Sequence, residues 1–124
     1  MKREYEYIEQ LIKGVTEPLL LYLINEVPTY GYSIIKELEK RTTGYFKFKG
    51  GTVYPALRRL ETRGLIKSKW QQTTERQARK YYQITEQGRR FLASSLAGWK
   101  DFSVAVSMLM GVGNTGKVMP SNTA

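Results

Sequence analysis

The chain has 124 residues, 41% apolar and 25% charged, with no cysteine, no histidine and a formal net charge of +9. That length suits one domain with a thin core, and the composition is that of a globular protein. Without cysteine or histidine there are no disulfides, no thiolate nucleophile, no serine–histidine–aspartate chemistry and almost no zinc site.

The acids are scattered without calcium-loop spacing, so neither an enzyme nor a metal or other cofactor is expected. No apolar run approaches the ~20 residues of a bilayer span. The start, Met1 to Glu6, lacks the apolar stretch of a secretion signal. A cytoplasmic protein is therefore expected. The excess charge is local: Lys36 to Arg90 holds 15 basic and 5 acidic residues, and the remainder holds 5 and 6. A localised basic excess fits a polyanion, nucleic acid or an anionic membrane, or else a solvated basic surface.

Tyr7, Leu11, Val15, Leu19, Leu20, Leu23 and Ile24 recur at helical steps. Pro18 fits the first turn of a helix over 17–26 capped by Thr16. Residues 4–13 form a preceding helical segment, and Pro28 ends the element. A second helix runs from Tyr32 to Arg41, with Ile34, Ile35 and Leu38 inward and Lys36 outward. Thr42, Thr43 and Gly44 stop it, and the alternation in Phe46-Lys47-Phe48-Lys49 reads as a short strand.

Thr52 opens a third helix as its N-cap, with Pro55 in the first turn. Val53, Ala56, Leu57 and Leu60 form its inner stripe, and Arg58, Arg59 and Arg63 lie off it. Gly64 followed by Leu65 is a C-terminal stop with glycine in the left-handed conformation. Two alternating strands follow, through Ile66, Ser68 and Trp70 and through Tyr82 and Ile84. Trp70 is placed in the sheet core. The polar, basic stretch from Gln72 to Arg79 between them makes a hairpin with a long tip.

Thr85 caps a last helix running to about Met110, with Glu86 at its positive end. Leu92, Leu96, Trp99, Phe102, Val106 and Leu109 form one stripe along it. It is either an ordinary core stripe or, being too long for one small unit to cover, the seam with a second subunit. Residues 111–124 read as a disordered tail.

The fold class is thus mainly α (α+β), a winged helix-turn-helix over residues 1–84 followed by a dimerisation helix over 85–110. In this arrangement the third helix enters the major groove and the hairpin wing lies along the backbone. Thr52, Tyr54, Arg58 and Arg59 supply hydrogen-bonding and charged groups on that helix. Arg76, Arg79 and Lys80 supply charge on the wing.

Four segments resemble the PadR family of regulators. They are Tyr30-Gly31-Tyr32-Ser33-Ile34-Ile35-Lys36-Glu37-Leu38 and Gly51-Thr52-Val53-Tyr54-Pro55-Ala56-Leu57-Arg58-Arg59-Leu60-Glu61, then Arg63-Gly64-Leu65-Ile66 and Arg79-Lys80-Tyr81-Tyr82-Gln83-Ile84-Thr85-Glu86-Gln87-Gly88. Together they cover roughly residues 16–92 in the family's order and spacing. The resemblance implies a homodimer, joined mainly by the last helix with help from the first. It implies binding to inverted-repeat operators in double-stranded DNA, commonly as a repressor in the cytoplasm of a bacterium or archaeon, at the nucleoid and not at a membrane. The single last helix is similar to the short-tailed subfamily, some members of which release DNA on binding phenolic acids or small aromatic or cationic compounds.

Candidate DNA-binding residues are Tyr30, Tyr32, Lys36, Lys47, Lys49, Thr52, Tyr54, Arg58, Arg59, Arg76, Arg79 and Lys80. Thr52 can be cap and phosphate contact together. Tyr54 can reach the duplex or pack its ring. At least one of Tyr30 and Tyr32 is expected in the core, and Lys47 and Lys49 are phosphate contacts or a solvated edge. Candidate interface or effector residues are Val15, Leu92, Leu96, Trp99, Phe102 and Val106. Two Trp99 rings facing across a dimer axis would accept a flat aromatic ligand, or a cation over a ring face. The alternative is a plain dimer-core tryptophan. Besides a ligand-responsive repressor, two readings stay open: a regulator without an effector, and a non-specific nucleic-acid-binding or interaction protein.

Overall fold

The computed structural model describes residue 7 and residues 10–73 and 77–111. Helix α1 is Thr16–Glu26, strand β1 Thr29–Tyr30, helix α2 Gly31–Arg41, helix α3 Gly50–Thr62, strands β2 Ile66–Gln72 and β3 Ala78–Ile84, and helix α4 Glu86–Met110. The three strands form an antiparallel sheet in the order β1-β3-β2. This is the winged helix-turn-helix arrangement followed by a long C-terminal helix.

The chain divides into two compact units, the first ending at Leu92 and the second beginning at Ala93. The core of the first unit gathers Leu20, Leu21 and Ile24 of α1, Ile34 of α2, Val53, Leu57 and Leu60 of α3, and Ile66 of β2, all almost fully buried. Burying each such side chain stabilises the fold by roughly 1.5–3 kcal/mol. The expected inner faces of α2 and α3 are the observed ones, although Ile35 is only partly buried.

Helix ends follow backbone chemistry. At the end of α3, Gly64 takes φ +77. Its N–H donates to Glu61 O at 3.0 Å, and the Leu65 N–H donates to Leu60 O at 3.0 Å. This paired motif satisfies two carbonyls that the helix leaves unpaired. At the start of α4, Thr85 Oγ1 accepts the Gly88 N–H at 3.0 Å, the expected cap.

Four local expectations fail. Thr16 does not cap α1: its hydroxyl donates to Ile12 O at 2.8 Å, because a helical turn over 10–13 already precedes it, and the cap position falls on Val15. Thr52 does not cap α3: Gly50 and Gly51 already lie in the first turn, and the Thr52 N–H donates to Lys49 O at 2.9 Å. Residues 46–49 form no strand. Phe46 and Phe48 alternate because both rings turn to the core and stack at 5.7 Å, while Thr29–Tyr30 takes the place beside β3. Trp70 lies outside the core, 67% exposed.

Residues 4–6, 8 and 9 of the preceding segment, Arg76, and the tail beyond Gly111 lie outside the described residues.

Gly88 sits where no side chain fits. A Cβ there would collide with the Leu65 carbonyl oxygen and lie 2.8 Å from Ile84 Cγ1. Gly88→Ala should force the first turn of α4 off its seat, at a cost of about 1–3 kcal/mol. For a unit of this size that lowers Tm by roughly 5–20 °C in thermal denaturation. An unchanged Tm would show that α4 is not seated this closely.

Candidate nucleic-acid interface

Helix α3 presents two flanks and an outer face. Its buried stripe is Val53, Ala56, Leu57 and Leu60. Directly opposite lie Gly51, Pro55, Arg58 and Thr62, all exposed, with Thr52 beside them. The helix begins without a side-chain cap hydrogen bond, and a Cβ on Gly51 would meet nothing within 4 Å.

One flank of α3 is tied to α1. Arg59 Nε donates to Glu17 Oε2 at 3.0 Å, and Arg63 Nη1 to Glu17 Oε1 at 2.8 Å. The expected groove contact Arg59 therefore has a carboxylate of its own. Arg63 also lies over the Phe91 ring, 4.9 Å from its centroid. Sequence reasoning missed this link because Glu17 and Arg59 are 42 residues apart.

The other flank meets the wing. Glu61 Oε2 accepts the Ser68 hydroxyl at 2.6 Å, and Glu61 Oε1 lies 3.7 Å from Lys80 Nζ. Lys80 also sits over the Tyr82 ring, at 5.8 Å. Burial pushes the Tyr82 phenol above the usual tyrosine range; Glu61 and Tyr54 push the same way, and Arg58 opposes them.

Tyr54 both packs and faces solvent. Its ring lies against the backbone of Gly31, where a Cβ would come within 2.8 Å of Tyr54 Cζ and 2.9 Å of its hydroxyl oxygen. The residue stays 47% exposed. Any side chain at position 31 would displace the ring, which explains a glycine at the start of α2.

At that start, Tyr30 is half-buried and meets Tyr81 edge-on at 5.2 Å, with Arg79 over its ring at 4.4 Å. Tyr32 is exposed, with Lys36 over its ring at 5.6 Å. The expectation that at least one of the two tyrosines lies in the core is not met: Tyr30 is only half-buried, against Tyr81 and Arg79 at the sheet edge, and Tyr32 is exposed. Lys47 and Lys49 are exposed in the segment leading into α3. Among the described residues, Lys36, Lys47, Lys49, Arg58, Lys67 and Lys69 pair with no carboxylate, whereas Arg41 is held by Glu26 and Glu37. No group of described acids could hold a metal ion, and no described helix is long and apolar enough to cross a membrane.

The proposed interface set divides. Leu92 belongs to the core of the first unit, 4% exposed. It is withdrawn from the partner-facing stripe, because the seating of Gly88 turns this part of α4 inward. Val15 is half-buried at the start of α1. Within the second unit Leu96, Trp99 and Phe102 are exposed by 43%, 57% and 65%, and Val106 is half-buried.

The sequence pattern of the transcriptional regulator PadR-like family matches residues 20–94. A PadR family transcriptional regulator from Eggerthella lenta is 30% identical, with a TM-score of 0.78 over 90% of this chain and 96% of that one. A PadR-like regulator from Bacillus cereus is 32% identical, with a TM-score of 0.71 over 82% and 96%. PadR of Bacillus subtilis, solved with operator DNA, is 23% identical with a TM-score of 0.61 over 66% and 47%, a likeness of fold.

A phenol held neutral in the folded state keeps its proton to higher pH than in the unfolded chain. Stability is therefore lost as pH rises from about 10, the unfolded value, toward the higher folded one. Tyr82→Phe has no such proton, so its stability should fall less than wild type between about pH 9 and about pH 11 in denaturant titrations. Parallel falls would show that the Tyr82 phenol is not perturbed.

Proposed function

Because the chain belongs to the PadR-like family of transcriptional regulators, and is a DNA-binding regulator rather than an enzyme, we propose that it works as a homodimeric repressor. It grips an inverted-repeat operator with α3 in the major groove and the hairpin wing along the backbone. The observation that carries this reading is the outer face of α3. Arg58 lies there without a carboxylate partner among the described residues, with Thr62 one turn on, Thr52 at the start of the helix and the exposed Lys47 and Lys49 in the segment before it. The uncapped start of α3 leaves backbone N–H groups open to a phosphate.

The wing contributes Arg79 and Lys80, with Arg76 proposed on sequence alone. Tyr32, Lys36 and the edge of Tyr54 reach the same strand from α2 and α3. Arg59 takes part only by leaving Glu17.

Two copies join along the stripe of Leu96, Trp99, Phe102 and Val106, with Val15, just before α1, as a further contact. The exposure of three large side chains at helical spacing supports this, since isolated chains rarely leave such a stripe in water. Across the dimer axis the two Trp99 rings take a planar aromatic or cationic effector between them. The effector weakens DNA binding, so the repressor responds to a ligand. The protein acts in the cytoplasm, on the nucleoid.

Selection from a random-sequence duplex pool tests the main claim. The chain should enrich an inverted repeat that it binds at least ~1,000-fold more tightly than mixed-sequence duplex at fixed salt. No enrichment would favour a non-specific binder. On the enriched duplex, Arg58→Ala should lower the slope of log affinity against log salt by about 0.9, the loss of one phosphate neutralisation. Glu17→Gln should steepen it by up to about twice that amount, by releasing Arg59 and Arg63. An unchanged slope in both would place α3 away from the backbone.

For assembly, Phe102→Asp should convert a two-chain species to a single chain in sedimentation. A planar aromatic cation should quench a fluorescence component that Trp99→Ala lacks. Unchanged mass in the first case, or equal quenching in the second, would remove the seam or the effector site respectively.

A further inference from the structure

Trp70 is the one large aromatic side chain that the described part of the wing leaves in water, 67% exposed. Its ring makes no aromatic or cation contact with another described residue. The fold does not need an indole there, because the sheet core is complete with Ile66, Tyr82 and Ile84.

Register fixes which way it faces. The ladder between β2 and β3 runs without a bulge from Ile66↔Ile84 through Ser68↔Tyr82 to Trp70↔Lys80 and Gln72↔Ala78. Side chains alternate along a strand. Ile66 is buried beneath the helices, and Ser68 donates to Glu61 of α3. Trp70, two residues on, is therefore on the same side of the sheet as α3, one step beyond the point where Glu61 covers it. Lys80 lies directly opposite on that side, reaching back to Glu61. The indole thus stands in the crease between the wing and the C-terminal half of α3, the half that carries Arg58 and Thr62 on its outer face.

The surroundings are cationic. On this side Lys80 faces Trp70 across the ladder, and Arg58 of α3 is near enough to the Tyr82 phenol to oppose its upward shift, whereas Lys67, Lys69 and Arg79 alternate onto the opposite face. A flat apolar ring in a positive crease complements a sugar–phosphate backbone. The ring face can cover a deoxyribose, and the Nε1–H, a donor only, can bond a phosphate oxygen. A duplex keeps its bases stacked, so the ring meets sugar, not a base face.

We propose that Trp70 is a DNA-contacting residue of the wing, lying on one deoxyribose of the backbone that runs between α3 and the hairpin. It contributes affinity without charge. This rests on the DNA-binding reading above. Its signature differs from that of the cations: Lys and Arg contacts weaken with salt through counterion release, and burial of an indole against sugar does not.

The test uses the full chain and a duplex selected on the wild-type protein. Trp70→Ala should weaken binding about tenfold, as truncating a well-packed interfacial tryptophan commonly does. The salt slope should stay within about 0.3 of wild type, well below the change of one phosphate contact. Trp70→Tyr should recover most of the affinity. Gln71→Ala, one residue on and on the opposite face, should bind like wild type. Tm should stay the same in all three, since none of these side chains is buried. Equal affinity in Trp70→Ala, an equal loss in Gln71→Ala, or a slope change near 0.9 overturns the assignment. Failure of the wild-type chain to bind any duplex overturns the DNA-binding reading itself, and the assignment with it.

Discussion

The structure turns on one backbone carbonyl. The Leu65 oxygen lies where α3 ends, β2 begins, β3 ends and α4 begins. It accepts the Thr85 N–H at 3.1 Å and the Thr85 hydroxyl at 3.0 Å, and Gly88 packs directly on it. Gly64 makes this possible, since only its left-handed φ brings the chain from α3 round to β2 in two residues. The pitch of α3, the root of the wing and the first turn of α4 are thereby set by one another. A shift at any of them is felt at the other two, because close-packed interiors transmit displacement.

Charge is arranged on that frame with a division of labour. The net +9 overstates what a polyanion would meet. Glu17 takes up two arginines on the α1 flank of α3, Glu61 draws Lys80 toward α3, and Glu26 and Glu37 hold Arg41. These exposed pairs add little stability, because solvent and salt screen them. Their effect is on direction. They keep long cationic side chains lying against the domain, and they leave Arg58 and the lysines around α3 with unmatched charge. A phosphate approaching Arg59 competes with Glu17 and gains less than it would from Arg58.

What could be read from the sequence follows the reach of each interaction. The Gly64–Leu65 stop and the Thr85 cap were legible because their chemistry closes within a few residues. The inner stripes of α2 and α3 were legible because helical period and burial agree. The stretch from Phe46 to Lys49 misled, since Phe46 and Phe48 alternate for the sake of ring stacking and not of a ladder. Strand β1 was invisible because two residues carry no period. Thr16 and Thr52 were assigned as caps from residue type, but a preceding turn and two glycines moved each helix start upstream. Leu92 matched the α4 stripe by spacing, yet the close seat of Gly88 draws it into the first core. Trp70 carried the right period for a core residue, and only the register against Lys80 and Glu61 shows that the core ends before it.

The outer face of α3 is chemically sparse, and this bears on how a duplex would be told apart from its neighbours. Phosphate contacts position a protein without reading sequence. Of Gly51, Thr52, Pro55, Arg58 and Thr62, only Arg58 has the fork for a bidentate bond to a base edge, worth about 1–3 kcal/mol of discrimination if it turned from the phosphate into the groove, and the threonines add only hydroxyl or methyl contacts. One such helix falls short of the ~4–10 kcal/mol that separates specific from non-specific binding in regulators of this kind. Two identical helices on a two-fold axis double the discrimination without a new contact. On the proposed reading, the bare apolar stripe of α4 and the short reading face of α3 answer one another: a helix that reads so little can specify a site only if Leu96, Trp99 and Phe102 bring a second copy to the same duplex.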